Sequence, residues 1–225
     1  MLHKVVQLGG KSYFWLEKTN VVSMIQEYQV SGFRVREYEE LESTNTEAER
    51  VGWSELEDKM VILTYRQTQG RGQVGNHWES EPGKNISMTV VFKPRELSAG
   101  QQFAVSMVIA LGACDFISRY VSGCSVKWPN DIYVGDRKIS GILIEHSIMG
   151  RYVGGSLCGI GVNINQERFL SDAPNPVSLF QLIGKEIPVK RALEELLDCI
   201  GKRYETIRDY EGLERDFLKV LYRRE

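Results

Sequence analysis

Residues 125–165 read SVKWPNDIYVGDRKISGILIEHSIMGRYVGGSLCGIGVNIN. Runs rich in β-branched residues are broken here by Gly135-Asp136 and Met149-Gly150, glycine-containing pairs that close tight hairpins. The spacing predicts successive strands over 125–128, 132–134, 139–145, 152–153 and 157–165. Such a block is an antiparallel meander. It decides the fold class, because a sheet with an apolar face must be covered by other elements of the chain.

The flanks supply the cover. Between Ser98 and Val121, the apolar residues Phe103, Met107, Ala110, Cys114, Ile117 and Val121 recur every three or four positions, which predicts a central buried helix with one apolar face. Pro174 and Pro176 mark a loop. After it, Val189, Leu193, Leu196, Ile200, Tyr204 and Ile207 define an amphipathic helix, and 213–221 a shorter one. Upstream, 33–38, 60–64 and 86–92 read as strands, and Thr44-Asn45-Thr46-Glu47 has the T-x-x-E capping-box pattern that opens a short helix over 44–53. The fold class is α+β: a mixed, mainly antiparallel sheet with helices packed on it.

At about 150 residues per domain, 225 residues make one large domain or a domain with an appendage. No repeat, low-complexity tract or Pro/Ser-rich linker divides the chain, so we expect one unit over 33–222 preceded by an extension, 1–32. With 42% hydrophobic and 26% charged residues the composition is that of a globular protein. The 28 Lys and Arg against 30 Asp and Glu give no electrostatic reason to bind nucleic acid. The longest apolar stretch, 103–116, is interrupted by Ser106 and Gly112 and meets Asp115, so we expect no membrane span. Cys114, Cys124, Cys158 and Cys199 stand 10, 34 and 41 residues apart, which suggests neither a disulfide framework nor a zinc ribbon. With no secretory signal in 1–23, the expected compartment is the cytoplasm.

Two motifs point to chemistry. Gly70-Arg71-Gly72-Gln73-Val74-Gly75 spells G-x-G-x-x-G, but Asn76-His77-Trp78-Glu79-Ser80-Glu81-Pro82-Gly83 follows and cannot open the helix of a dinucleotide fold. Arg71 between glycines instead suits a loop closing on an anion, since glycine permits close approach and arginine supplies paired donors. The second motif is Lys127-Trp128-Pro129-Asn130-Asp131, in which Lys127 offers a cation and Asp131 a carboxylate able to hold Mg²⁺. A bare turn would need only the proline. The three histidines, His3, His77 and His146, have no zinc spacing, and no G-x-S-x-G elbow occurs.

Taken with Glu42-Ser43-Thr44-Asn45, Gln67-Thr68-Gln69, Trp78, Arg137-Lys138-Ile139-Ser140-Gly141-Ile142-Leu143 and Gly159-Ile160-Gly161-Val162-Asn163-Ile164-Asn165, these motifs resemble in order and spacing those of the biotin protein ligases, also called biotin–[acetyl-CoA-carboxylase] ligases. The resemblance implies that fold and an ATP-dependent activity: biotin is converted to biotinyl-5'-AMP, then passed to a lysine of a biotin carboxyl carrier domain. Adenylation needs no protein nucleophile, only positioning and stabilised charge on the transferring group, which suits a site rich in Arg, Lys, Asn and Asp.

Residue by residue, the resemblance implies that Ser43, Thr44, Asn45, Gln67, Arg71, Gly72, Gln73, Trp78, Lys138 and Gly141 form the biotin site, with Lys138, Arg71 and Asp131 catalytic. Lys127, Asn130, Gly159 and Asn163 would bind the nucleotide, and Asp131 the Mg²⁺ that accompanies ATP. It leaves room for a homodimer and implies no nucleic-acid or membrane partner. Gln73 and Asn76 stand where many members carry further arginines, so easier loss of the adenylate is expected. The match starting near residue 33 and ending near 222 implies a type without the N-terminal DNA-binding domain and without the small SH3-like C-terminal domain. Two alternatives remain: a lipoate or octanoate ligase, whose usual R-R-x-x-G-G-G loop is absent here, and a non-catalytic biotin-binding module.

Overall fold

The computed structural model describes residues 23–73, 76–171 and 174–223, together with the backbone of strands β1 (Val5–Leu8) and β2 (Lys11–Phe14), which pair with each other. The chain then runs through β3 (Met24–Val30), β4 (Phe33–Tyr38), α1 (Thr44–Val51), β5 (Met60–Thr64), the two-residue strands β6 (Gly70–Arg71) and β7 (His77–Trp78), and β8 (Ile86–Phe92). After a 3-10 turn at Ala99–Gln101 follow α2 (Phe103–Ile117), β9 (Cys124–Lys127), β10 (Asp131–Val134), β11 (Arg137–Met149), β12 (Tyr152–Val162), α3 (Leu179–Ile183), α4 (Val189–Glu205) and α5 (Tyr210–Lys219). Eight strands form one sheet in the order β3-β4-β5-β8-β12-β11-β10-β9, with β4–β5 parallel and the other neighbours antiparallel. The expected α+β fold is the observed one.

The meander closes as read, with Gly135 at φ +59° and Gly150 at φ +62° in its two hairpin turns, conformations that cost glycine nothing. Several elements differ from expectation. The runs 152–153 and 157–165 belong to one strand, β12, because Gly155 pairs with Ser147 and Gly154 is taken up as a bulge before the pairing resumes at Val153 and Ile148. Met24–Val30, inside the segment read as an extension, is the edge strand of the main sheet. The stretch 98–121 splits into the 3-10 turn and α2, and α2 is buried on nearly every side instead of along one stripe. The sheet covers one flank of α2 and α4 and α5 the other, so no polar face is called for. By length and composition Ala99–Ile117 would pass as a membrane span, but in this fold it is the central core helix.

The capping box expected at Thr44–Glu47 does not form. Ser43 is the N-cap, makes no side-chain capping bond, and Glu47 is held by Arg50 at 2.7 Å from both Nε and Nη2. A complete capping box occurs instead at Ser178 and Gln181 of α3, a helix the sequence pattern was too short to reveal.

The two faces of the sheet do different work. One packs on α2, α4 and α5 around the main core, where Phe92 stacks on Tyr204 at 3.9 Å and Phe103 meets Phe217 edge-on at 5.5 Å. The other packs α1 over a smaller cluster of Tyr38, Leu41, Ala48, Leu56, Met60, Ile62, Val91 and Leu157. That smaller cluster covers one end of its face only. The remainder, across β8, β12, β11 and β10, carries the candidate site.

Candidate active site

Strand register lays Thr64, Ser87, Gly161, Gly141, Asp131 and Lys127 side by side in one rung across the sheet. Because side chains alternate along a strand, these residues share the face that bears α1. The two central members are glycines, so the rung has a floor of bare backbone. The indole of Trp78 lies in it: a Cβ on Gly161 would overlap the ring, and one on Gly141 would stand 3.0 Å from Cζ3. Trp78 Nε1 and Ser87 Oγ are buried there with no hydrogen-bond partner among the described residues. Buried donors left unpaired are costly, so their presence marks a place for a polar ligand atom.

One rung along, Thr89 and Gly159 are paired across β8 and β12, and the N-terminus of α1 sits on them. Ser43, Thr44 and Asn45 are all buried. Thr89 Oγ1 stands 2.9 Å from Thr44 Oγ1 and 2.5 Å from Asn45 Oδ1, and its one proton serves either. Asn45 Nδ2 donates to Glu145 Oε2 at 2.8 Å, and a Cβ on Gly159 would overlap the Asn45 amide. Gly159, which the resemblance set at the nucleotide, is thus the seat of Asn45. Gln67 Oε1 accepts from the Thr44 backbone N–H at 3.0 Å. Arg71 spans Glu49 (2.9 Å) and Glu145 (2.7 Å); the bond to Glu49, opposed by partial burial and helped by the charge of Glu145, raises its pKa so that it stays charged.

At the other end of the trough, Lys138 Nζ is 2.7 Å from Asp131 Oδ1 and 5.9 Å from the centre of the Trp78 ring. Asn130 donates to the Ile142 carbonyl, while its Oδ1 accepts from Gln73 Nε2 at 3.1 Å, so the glycine loop and the 127–131 turn are tied together. Gly72 N–H bonds the Asn76 carbonyl at 3.0 Å; Val74 and Gly75 of the same loop lie outside the described residues. The backbone of Lys138 is bracketed by Asn175 O (2.9 Å) and Val177 N–H (2.8 Å), and Asn163 Nδ2 donates to the Val177 carbonyl at 3.0 Å. Asn163 Oδ1 is buried without a partner among the described residues. Lys127 is not drawn into this group: its ammonium is turned onto Tyr133, 3.2 Å from the hydroxyl.

Residues 38–163, more than half of the chain, match the biotin/lipoate A/B protein ligase family. The chain belongs to that family. Among its relatives in the ligase family are a bifunctional ligase/repressor of Bacillus subtilis, 27% identical over 188 residues, 81% of this chain and 56% of that one. Another is a biotin–[acetyl-CoA-carboxylase] ligase of Paracoccus denitrificans, 33% identical over 125 residues, 55% of this chain and 51% of the relative. The chain thus spans about half the length of these relatives. The fold is that of the biotin protein ligase from Aquifex aeolicus solved with biotin and ATP, with a TM-score of 0.70 at 23% identity, over 83% of this chain and 78% of that one.

Within the family's matched region, motif reading missed four residues. Ser87 and Thr89 are hydroxyls two apart in the otherwise apolar run 86–92, a signal that one face of that strand is not core. Glu145 and Glu79 carry no local signal at all. As for metal, the described residues hold no cluster of three or more His, Cys, Asp or Glu. Asp131 alone remains, which fits Mg²⁺, an ion that takes one or two carboxylates and leaves its other positions to water and substrate phosphates.

Proposed function

We propose that the chain is an ATP-dependent biotin protein ligase. The trough carries the reading: a glycine floor under Trp78, closed at one end by a buried cluster of hydroxyls and amides and at the other by the Lys138 ammonium. An acid with a polar, hydrogen-bonding head, an apolar middle and a terminal carboxylate matches that order. Ser43, an N-cap whose hydroxyl does no capping, and Gln67, whose Nε2 remains a donor after Oε1 has taken the Thr44 N–H, would meet the ureido group. Lipoate and octanoate lack such a head and would leave the cluster unpaired, at a cost that discriminates strongly.

In the first step a carboxylate oxygen of biotin attacks the α-phosphorus of ATP, and the bond to pyrophosphate breaks. Lys138 lies where charge builds on the entering oxygen and the α-phosphoryl group, and its attraction costs no reorganisation at that moment. Asp131 holds the ammonium in place and is the residue that would contact Mg²⁺, whose part is to neutralise phosphate charge. Asn163 Oδ1 and Asn130 are assigned to the nucleotide side, and Lys127 would join them only by leaving its contact with the Tyr133 hydroxyl. In the second step the lysine amine of a biotin carboxyl carrier domain attacks the acyl carbon, and AMP departs. Free thiols at Cys114, Cys124, Cys158 and Cys199 fit a reducing, cytoplasmic compartment. The proposal includes no nucleic-acid or membrane partner and leaves room for a homodimer.

ATP–pyrophosphate exchange with Mg²⁺, run with biotin, lipoate, octanoate and no acid, tests it. Biotin-dependent exchange is expected; exchange dependent on lipoate or octanoate alone would replace the assignment. Biotin binding without exchange would leave a binding module, a reading that gives Lys138 and Asp131 no task. Since Gln73 offers an amide where an arginine would hold the adenylate electrostatically, a shorter adenylate half-life is expected than after Gln73→Arg, followed by quenching purified complex over time.

A further inference from the structure

Glu79 follows Trp78 and belongs to none of the motifs. Its carboxylate collects Leu170 N–H at 2.9 and 3.1 Å, Ser171 N–H at 2.7 Å and Gln166 Nε2 at 3.0 Å. Partial burial alone would push its pKa up, but the bonds from Ser171, Leu170 and Gln166 outweigh that and hold it below the ordinary carboxylate value. Gln166 is itself fully buried and fixed, accepting from Glu81 N–H at 3.0 Å and Asn85 Nδ2 at 2.5 Å. Leu170 is 91% exposed, so apolar packing does not hold this segment down. The same connection leaves the sheet at Asn163 and returns at Asn175 and Val177 to bracket Lys138. One turn of chain is therefore pinned at two points, to the residue after the trough's indole and to the residue that supplies its cation.

We propose that Glu79 is a positioning residue of the ligase reaction, a latch that fixes Gln166–Ser171 to the strand carrying Trp78 and so sets the nucleotide-side wall in register with the biotin trough. This rests on the ligase reading above. The carboxylate touches no reacting atom; it acts through the loop. Two adjacent backbone N–H groups and a side-chain amide form a complete shell for one anionic group, and charge makes these bonds stronger than neutral ones.

The test compares the full chain with Glu79→Ala and Glu79→Gln. Amide hydrogen exchange of 166–171 is measured without substrates, and KM for ATP and for biotin and kcat in pyrophosphate exchange with them. For Glu79→Ala we expect exchange at Leu170 and Ser171 faster by about tenfold or more, a KM for ATP raised about tenfold, and KM for biotin and kcat within about threefold of the parent. Glu79→Gln, which keeps an acceptor oxygen without the charge, should fall between, and it serves if the alanine variant fails to fold. Unchanged amide exchange, or equal rises in both KM values, would overturn the latch. If the parent shows no biotin-dependent exchange, the ligase reading falls separately. Amide exchange and calorimetric binding of Mg²⁺–ATP then decide the latch, with about tenfold weaker binding in Glu79→Ala supporting it and equal binding overturning it.

Discussion

At the scale of single residues, the proposed reaction rests on Lys138 and on the two glycines of the trough. Lys138→Ala removes the cation at the reacting end, and we expect biotin-dependent pyrophosphate exchange to fall by at least about 10²-fold. Its ion pair with Asp131 is partly solvated, so the thermal midpoint should move little, by less than about 1 kcal/mol in stability. Retention of most activity would displace Lys138 from its role. Gly161→Ala is the complementary change: its methyl overlaps the indole and must evict it, so KM for biotin should rise about tenfold or more while the fold persists, as calorimetric titration would show. Legibility at this scale was uneven. Arg71 and Asp131 stand in motifs that no turn or strand requires, whereas Ser43, Thr44, Gln67, Trp78 and Lys138 are singled out only by the resemblance to the ligases, Thr44 by itself reading as a capping residue. Glu145 is marked by neither, because its partners Asn45 and Arg71 are 100 and 74 positions away and only the strand register brings them to it.

Elements were read through their periodicity, and they failed where periodicity is weak. The meander was legible through its β-branched runs and glycine turns, except that 152–153 and 157–165 are one strand; β3 follows no apolar alternation, since it is an edge strand with largely exposed side chains, and it went unread. The capping box is instructive: Thr44–Glu47 has the pattern but its polar groups are taken by Thr89 and Arg50, whereas Ser178 and Gln181 form the real one. Tertiary partners override a local signature that is worth about 1 kcal/mol. For α2 the period was correct but the inference of one apolar face was not, because α4 covers the opposite side so closely that a Cβ on Gly112 would lie 2.8 Å from Ile200 Cα. Gly112→Ala is therefore expected to destabilise the fold by about 1–3 kcal/mol through overpacking. A calorimetric scan should show the lowered midpoint with both KM values unchanged; an unaltered midpoint would mean that the α2–α4 contact is looser than described.

Across the whole molecule the division of labour between sheet faces explains why the site is where it is. The main core takes one face, α1 and its small cluster take one end of the other, and the remainder, across β8, β12, β11 and β10, carries Ser87, Gly161, Gly141 and Asp131 with the Trp78 indole laid over the glycines. The sequence motifs named the strands but not their order, and β5–β8–β12 adjacency, on which the rung depends, is non-local pairing that no spacing rule reveals. Stability against pH also belongs to this scale. Burial lowers the pKa of His146, whose Nδ1 is 2.8 Å from Ser156 Oγ, below its ordinary value of about 6.5. The unfolded chain then takes up a proton more readily than the folded one, so stability is lost as pH falls below about 6.5 toward the depressed folded value. The thermal midpoint should drop between pH 7.5 and pH 5.5, and His146→Gln should flatten that drop; parallel curves would assign it to other groups.

If the chain activates biotin, the adenylate itself must form on it. Purified protein would be mixed with Mg²⁺–ATP and biotin, quenched within one turnover and analysed by mass spectrometry, with lipoate and octanoate in parallel. Biotinyl-5'-AMP is expected together with an equal amount of pyrophosphate, and no adenylate of the other two acids. An adenylate formed from lipoate or octanoate but not from biotin, or no adenylate at all, would contradict biotin activation by this chain.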